Sequence, residues 1–114
     1  MADQYTLVYH PNIPNIIVPA VGTRELYKYY RAGYKKVCFS RIGTMLRRYR
    51  KKLNISQDTI LNILEDKGIY IKPTMYSKLE SGNVNHSLLS VMDIKRIAEL
   101  LHLRVEDLIQ RVND

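Results

Sequence analysis

Hydrophobic residues recur at intervals of three or four positions from Ile42 onwards, with polar and basic residues between them. This spacing is typical of amphipathic helices that pack on a common core. We predict helices over residues 42–54, 57–67, 73–81, 87–101 and 105–112. The positions predicted to face inward are Ile42, Met45, Leu46, Tyr49, Leu53, Ile60, Leu61, Leu64, Tyr76, Leu79, Leu88, Val91, Ile94, Ile97, Ala98, Leu101, Leu108 and Val112.

Residues that favour helix ends lie at the borders of these segments. Ser56 suits an N-cap, and Pro73 suits a first helical position because its missing amide and fixed φ cost nothing there. Glycine adopts the left-handed conformation that ends many helices, so Gly68 and Gly82 are predicted to be stops. Ser87 or a neighbour is predicted to start the fourth helix.

Residues 1–41 have a different pattern, since three of the four prolines lie here, at Pro11, Pro14 and Pro19. Proline excludes a helix and restricts a strand to a sheet edge, so residues 1–22 are predicted to form an extended arm that can include a short hairpin. Thr23 is predicted to cap a short tyrosine-rich helix. The expected fold is therefore all-α: a five-helix bundle over 42–114, preceded by a 1–41 extension with an arm and one additional short helix.

Charge is distributed unevenly along the 114 residues, whose formal net charge is +7. Between Arg24 and Lys52 there are eleven lysines and arginines and a single acid, Glu25. A block of this kind favours a surface that meets phosphates, because neutralising them releases condensed counterions. The charge distribution by itself is equally consistent with a solvated basic surface that binds no partner.

Other classes of protein find little support in the sequence. No apolar run approaches the roughly 20 residues of a membrane span, and no N-terminal signal pattern is present, so we expect no membrane association. The lone Cys38 excludes an internal disulfide and fits a reducing cytoplasm. The three histidines lack metal-ligand spacing, and no carboxylate pair, phosphate loop or nucleophile motif occurs. We therefore expect no enzyme, no metal and no cofactor.

Three motifs in order carry a family resemblance: "IGTMLRRYRKKLNISQ", "YSKLESG" and "IAELLHLRVEDLI". Together they resemble the Cro/repressor-type (XRE family) helix-turn-helix proteins over residues 42–110. The resemblance implies a repressor-like bundle that binds duplex DNA as a transcriptional regulator, with the helix at about 73–81 in the major groove. It also implies a homodimer on a pseudo-palindromic operator, acting in the cytoplasm at the nucleoid.

The chain departs from the family pattern in two places. Gln57 and Glu80 are about five residues further apart than the commonest family spacing. We assign the extra residues to "EDKGIYIK", at the end of the predicted helix 57–67 and in the turn that follows it. His102 stands where the family usually has glycine after helix 4, and histidine tolerates positive φ less well than glycine.

The resemblance also implies roles for individual residues. It places Arg50 and Glu80 in a structural ion pair between helix 1 and the recognition helix. The side of that helix opposite Tyr76 and Leu79 is predicted to face bases, through Pro73, Thr74, Met75, Ser77 and Lys78. Phosphates are predicted to be held by Gln57, Lys72, Asn83, Asn85, Arg41, Arg47 and Lys51.

Two other functions remain open for this sequence. The protein is an antitoxin or adaptor if residues 1–40 grip another protein, or a single-strand nucleic-acid binder if the cluster between Tyr27 and Tyr34 stacks on bases. Within the preferred reading, the apolar, tyrosine-rich 1–41 extension is the hypothetical pairing element of the homodimer.

Overall fold

The structure is a computed structural model that describes residues 5–14, 16–83 and 89–110. These residues form six helices and three strands, so the fold is mixed α/β and the prediction of an all-α protein is wrong. In chain order the elements are β1 (Tyr5–Tyr9), β2 (Ile17–Val21), α1 (Gly22–Arg31), β3 (Lys35–Lys36), α2 (Phe39–Lys52), α3 (Gln57–Asp66), α4 (Pro73–Ser81), α5 (Val91–Leu101) and α6 (Val105–Ile109).

The strands form one antiparallel sheet in the order β2-β1-β3. Tyr5 pairs with Val21 and Tyr9 with Ile17, so β1 and β2 are the arms of a hairpin, and β3 adds two residues to the other side of β1. Pro19 lies in β2, an edge strand, where the loss of one amide donor is tolerated. Proline restricts only the strand that contains it, and β1, which has none, takes the centre of the sheet.

The sheet shares its core with the helices. Leu7, Ile17 and Val37 are buried in the same hydrophobic cluster as the inward residues of the bundle. The amide of Cys38 donates to the carbonyl of Ile109 at 3.2 Å, which joins the end of the extension to α6. The sheet is therefore packed against the bundle, so the prediction of an extended arm is corrected: Tyr5–Tyr9 and Ile17–Val21 form the short hairpin that it allowed, and their pairing buries apolar side chains.

Most inward positions of the bundle were predicted correctly from periodicity. Ile42, Leu46, Ile60, Leu64, Tyr76, Leu79, Ile94, Ile97, Ala98 and Leu108 are buried, and Met45, Tyr49, Leu61, Val91 and Leu101 are partly buried against them. Leu53 is 48% exposed because α2 ends at Lys52 and Leu53 only caps it. Leu88 and Val112 lie outside the described residues.

Helix ends follow local chemistry with two exceptions. Ser56 caps α3 by accepting a hydrogen bond from the amide of Thr59 at 3.1 Å, and Pro73 begins α4. The predicted cap at Thr23 is wrong, because Gly22, with φ of +79°, lets the chain turn from β2 directly into α1. The helix expected to start near Ser87 begins at Val91, after a capping box between Ser90 and Asp93; Ser87 itself lies outside the described residues.

Helices α2 and α4 cross at unusually close range. A Cβ placed on Gly43 would overlap the carbonyl oxygen of Leu79, so only glycine fits this position of α2. The absent side chain lets the backbone of α4 lie directly on α2. At the end of α4, Gly82 has φ of +80° and closes the helix in the left-handed conformation.

Candidate nucleic-acid interface

Helix α4 has two chemically distinct faces. Tyr76 and Leu79 are fully buried and Glu80 is 8% exposed, so these three side chains face the bundle. The residues predicted to contact bases lie on the other side: Pro73, Thr74, Ser77 and Lys78 are exposed, and Met75 is half-buried at the boundary. The structure thus gathers the five on one outer strip of a helix whose inner face is fixed.

Arg50 and Glu80 join the inner face of α4 to α2. Arg50 Nε donates to Glu80 Oε2 at 2.9 Å, and Arg50 Nη2 donates to Glu80 Oε1 at 3.0 Å. Arg50 Nη1 donates at 3.2 Å to the carbonyl oxygen of Ile55, which lies in the loop between α2 and α3. All three guanidinium nitrogens are therefore used, and the planar fork fixes α2, the loop and α4 relative to one another.

The ionisation of this pair follows from its surroundings. Burial acts to raise the pKa of the Glu80 carboxyl, but hydrogen bonds and attraction from Arg50 outweigh it, and the pKa lies below its usual range. The hydrogen bond to Glu80 raises the pKa of Arg50 despite partial burial. Both groups are charged at neutral pH, so Glu80 neutralises an arginine and repels no phosphate from outside.

Tyr76 is a participant that the sequence reading assigned only to the core. Its ring is fully buried, and burial raises the pKa of its hydroxyl. The hydroxyl lies close enough to Glu80 and Arg50 to be influenced by both charges. Among the described residues it has no partner with hydrogen-bond geometry. Tyr76 therefore lies in the core beside the ion pair.

Gln57, predicted as a phosphate contact, is engaged within the protein. Its Nε2 donates to Glu80 Oε1 at 3.3 Å, and its Oε1 accepts a hydrogen bond from the Ser77 hydroxyl at 2.9 Å. The first residue of α3 thus holds the outer strip of α4 and the ion pair together. A phosphate could be bound here by the backbone amides at the N-terminus of α3, where Gln57 is the first residue, because these amides point outward. Sequence reasoning missed this link because Gln57 and Ser77 are twenty residues apart.

The other predicted phosphate contacts divide into two groups. Lys72 and Asn83 are exposed just before and after α4, and Arg47 and Lys51 are exposed one turn apart on α2. Arg41 differs, since it is half-buried and its Nε donates to the carbonyl of Asp107 at 3.3 Å, joining α2 to α6. Asn85 lies outside the described residues.

The turn between α3 and α4 lines an open groove of about 540 Å³. Ile69, from this turn, is buried in the core and anchors it, while Tyr70 is 76% exposed. The groove also contains the carboxylates of Asp58 and Glu65, which oppose phosphate binding on that side. The groove beside α3 is therefore a less favourable place for an anion than the exposed basic residues of α2.

The tyrosine cluster is largely occupied by its own contacts. Tyr34 packs edge-on against Tyr29, with ring centroids 4.9 Å apart, and against His10 at 5.1 Å. Tyr27 and Tyr30 remain 58% and 36% exposed. The contacts of Tyr29 and Tyr34 fasten the end of α1 to the loop of the hairpin, which leaves two tyrosines available at the surface.

Within residues 5–14, 16–83 and 89–110, no group of three or more histidine, cysteine or acidic side chains is placed to hold a metal ion. No helix in the same part of the chain is long and apolar enough to cross a membrane. Comparisons of the sequence and structure with protein-family models, curated proteins and solved structures gave no match.

Proposed function

We propose that this protein is a sequence-specific, duplex-DNA-binding transcriptional regulator that reads the major groove with α4. The observation that carries the proposal is the contrast between the two faces of α4. Its inner face is fixed by the Arg50–Glu80 pair and by Gln57, while Thr74, Ser77 and Lys78 project outward. A rigid helix with an exposed polar strip suits base reading, since small displacements would break base-edge hydrogen bonds.

The outer strip offers complementary chemistry to base edges. Lys78 can donate to O6 and N7 of guanine, and Thr74 and Met75 can place a methyl or thioether surface against the methyl group of thymine. Ser77 is oriented by its hydrogen bond to Gln57 and is therefore a positioning residue as much as a contact. Lys72 and Asn83 flank α4, and Arg47 and Lys51 are exposed on α2; these four supply phosphate contacts that carry no sequence information.

By the same proposal the regulator acts as a homodimer on a pseudo-palindromic site, in the cytoplasm at the nucleoid. Two copies of α4, related by a two-fold axis, would then enter successive major grooves about 34 Å apart. It works by binding alone, without a cofactor or a catalytic group.

A specific observation favours a second candidate, in which residues 1–40 bind another protein. Most of the exposed large hydrophobic side chains of the described chain are in its first thirty residues: Tyr5, Ile13, Ile16, Val21, Tyr27 and Tyr30. An antitoxin or adaptor would use such a patch to hold its partner. In the regulator, the patch is the surface through which two copies pair.

Sedimentation of the full chain and of an Ile16→Asp/Val21→Asp variant separates these two candidates. A dimer that becomes a monomer in the variant assigns the patch to pairing. A wild-type monomer at micromolar concentration would leave the patch free for a different protein and would favour the adaptor.

Fluorescence anisotropy of a labelled duplex, titrated across salt concentrations, tests the proposed function itself. Wild type is expected to bind with a log–log salt slope worth several phosphates, at about 0.9 per phosphate. Lys78→Ala is expected to keep that slope on mixed-sequence DNA if Lys78 reads bases, and to lose about one unit if it contacts a phosphate. Absence of duplex binding even at low salt would overturn the proposal.

A further inference from the structure

Helix α1 and strand β3 carry a surface that the proposed α4 interface does not use. Arg24, Lys28 and Arg31 follow one another at intervals of four and three residues, which places them along one side of α1. Lys35 and Lys36 follow directly, on the edge strand β3. All five side chains are exposed, and we call them the α1–β3 basic surface.

Carboxylates in the described part of the chain do not neutralise this surface. Across the described residues, none of the five cations forms an ion pair with a carboxylate, and the single acid of α1, Glu25, lies in its first turn. Like charges at this spacing repel one another and destabilise the helix slightly. Helix α1 also has no fully buried residue, so its composition is poorly explained by packing alone.

The surface is nevertheless held rigidly to the bundle. A Cβ on Gly33, whose φ is +95°, would lie 2.9 Å from His10 Nε2, so the turn after α1 fits tightly against the hairpin loop. Tyr34 packs on the same histidine, and β3 pairs with β1, which is buried in the shared core. The backbone that carries the five cations is therefore attached to the sheet, which shares its core with α4.

The geometry favours a regular duplex backbone over unpaired bases. From Arg24 to Arg31 the helix rises about 10 Å, at 1.5 Å per residue. One strand of B-DNA presents a phosphate about every 3.4 Å along its axis, so this length faces about three phosphates. Stacking on unpaired bases needs free aromatic faces; Tyr29 and Tyr34 are engaged with each other and with His10, which leaves the exposed Tyr27 and Tyr30, themselves edge-on to one another at 6.4 Å.

We propose that the α1–β3 basic surface is a second contact with the phosphate backbone, binding duplex DNA beside the segment read by α4. The inference rests on the proposed function and extends it, because it predicts a longer DNA footprint than the helical bundle alone would give. The contact contributes affinity and salt dependence but no sequence preference, since phosphates are the same along the duplex.

The test uses double substitutions with the same loss of charge. Arg24→Gln/Lys28→Gln and Lys35→Gln/Lys36→Gln remove two cations each from the surface. The control Lys67→Gln/Lys95→Gln removes two cations from the bundle, at the end of α3 and within α5. Each variant lowers the formal charge from +7 to +5. Thermal melting confirms folding, and anisotropy against salt is measured on long and progressively shortened duplexes.

Both surface variants are expected to lower the salt slope by about 1 to 2 units on the long duplex, with a loss of affinity of several-fold or more. The control is expected to keep the wild-type slope, and the difference is expected to vanish on a duplex shortened to the segment under α4. Equal slopes for the surface variants, the control and wild type would overturn the inference while leaving the proposed function intact.

Each remaining outcome also supports or overturns at least one of the two proposals. Wild type that binds no duplex would overturn both proposals together. Stronger binding of wild type to a single strand of the same length would overturn the duplex contact in favour of unpaired bases. Reduced slopes in the surface variants, with no change in base preference for Thr74→Ala or Lys78→Ala, would support the second contact and count against reading by α4.

Discussion

The guanidinium of Arg50 and the carboxylate of Glu80 meet in parallel hydrogen bonds of 2.9 and 3.0 Å between α2 and α4. Their side chains are 16% and 5% exposed, so the pair lies at the inner edge of the interface. The acidic residue of the helix proposed to meet DNA is thus turned away from it and used to hold the helix in place.

Removing Arg50 is expected to destabilise the fold substantially. Arg50→Ala leaves a buried carboxylate without its cationic partner, though Gln57 still donates to it, and we expect a loss of about 2–3 kcal/mol in the free energy of unfolding, somewhat below that of a fully buried pair. Urea denaturation measures it. The matched control is Arg104→Ala, which removes an equally forked pair with Asp107, at 3.1 and 3.2 Å, from a site where Arg104 is 77% exposed. A similar loss in both variants would contradict the role of burial.

The same pair predicts how stability depends on pH. Burial opposes ionisation of Glu80, but Arg50 outweighs it and lowers the folded-state pKa below the ordinary value of 4.5. The contribution of the pair is therefore complete above the unfolded-state pKa and is lost as the pH falls through the lower folded-state pKa. The stability difference between wild type and Glu80→Gln is expected to shrink on acidification below about pH 4.5. A difference that stays constant between pH 7 and pH 3 would contradict this.

Gly43→Ala is expected to destabilise the protein although alanine is the better helix former. Alanine gains about 1 kcal/mol over glycine within a helix, but its Cβ overlaps the backbone of Leu79, which has no rotamer with which to move aside. We expect a net loss of at least about 2 kcal/mol, since overpacking forces the helix backbones apart. Thr44→Ala, at the next and exposed position of α2, is expected to change stability by no more than about 0.5 kcal/mol. Equal behaviour of the two variants would show that the contact between α2 and α4 is looser than described.

His102→Gly is expected to stabilise the fold. His102 has φ of +57° at the C-cap of α5, a left-handed conformation that costs a residue with a Cβ about 1–2 kcal/mol. Glycine removes that strain but adds unfolded-state entropy, so the expected gain is about 0.5–1 kcal/mol by thermal or chemical denaturation. Asn54→Gly, at φ of +55°, is the control, and a smaller gain is expected because asparagine tolerates this region. A destabilised His102→Gly would mean that the histidine side chain makes a contribution of its own.

The parts of the fold that could be predicted from sequence are those with a local cause. The cap at Ser56, the start at Pro73 and the stop at Gly82 each depend on a few neighbouring residues, and the spacing of Ile42, Leu46 and their counterparts sets the buried faces. The pairing of Arg50 with Glu80, by contrast, could be anticipated only through the family resemblance.

The parts that were missed depend on residues far apart in the chain. Lys35 and Lys36 form a strand only because β1 is already paired and has a free edge beside them. The link between Gln57 and Ser77, and the bond from Arg41 to the carbonyl of Asp107, need the packed helices before they exist. Sequence spacing carries no information about such partners, so these internal bonds of Gln57 and Arg41 could not be anticipated, and their phosphate contacts stay predictions.

The central claim, that α4 reads duplex DNA, is tested most directly by selecting bound sequences from a pool of random duplexes with wild type, Thr74→Ala, Lys78→Ala and the phosphate-contact control Lys72→Gln. We predict that wild type enriches a motif with two-fold symmetry, that each α4 variant loses preference at particular positions of it, and that the control keeps the motif with weaker binding. A wild type that enriches no motif, or α4 variants that enrich the unchanged motif, would contradict the claim.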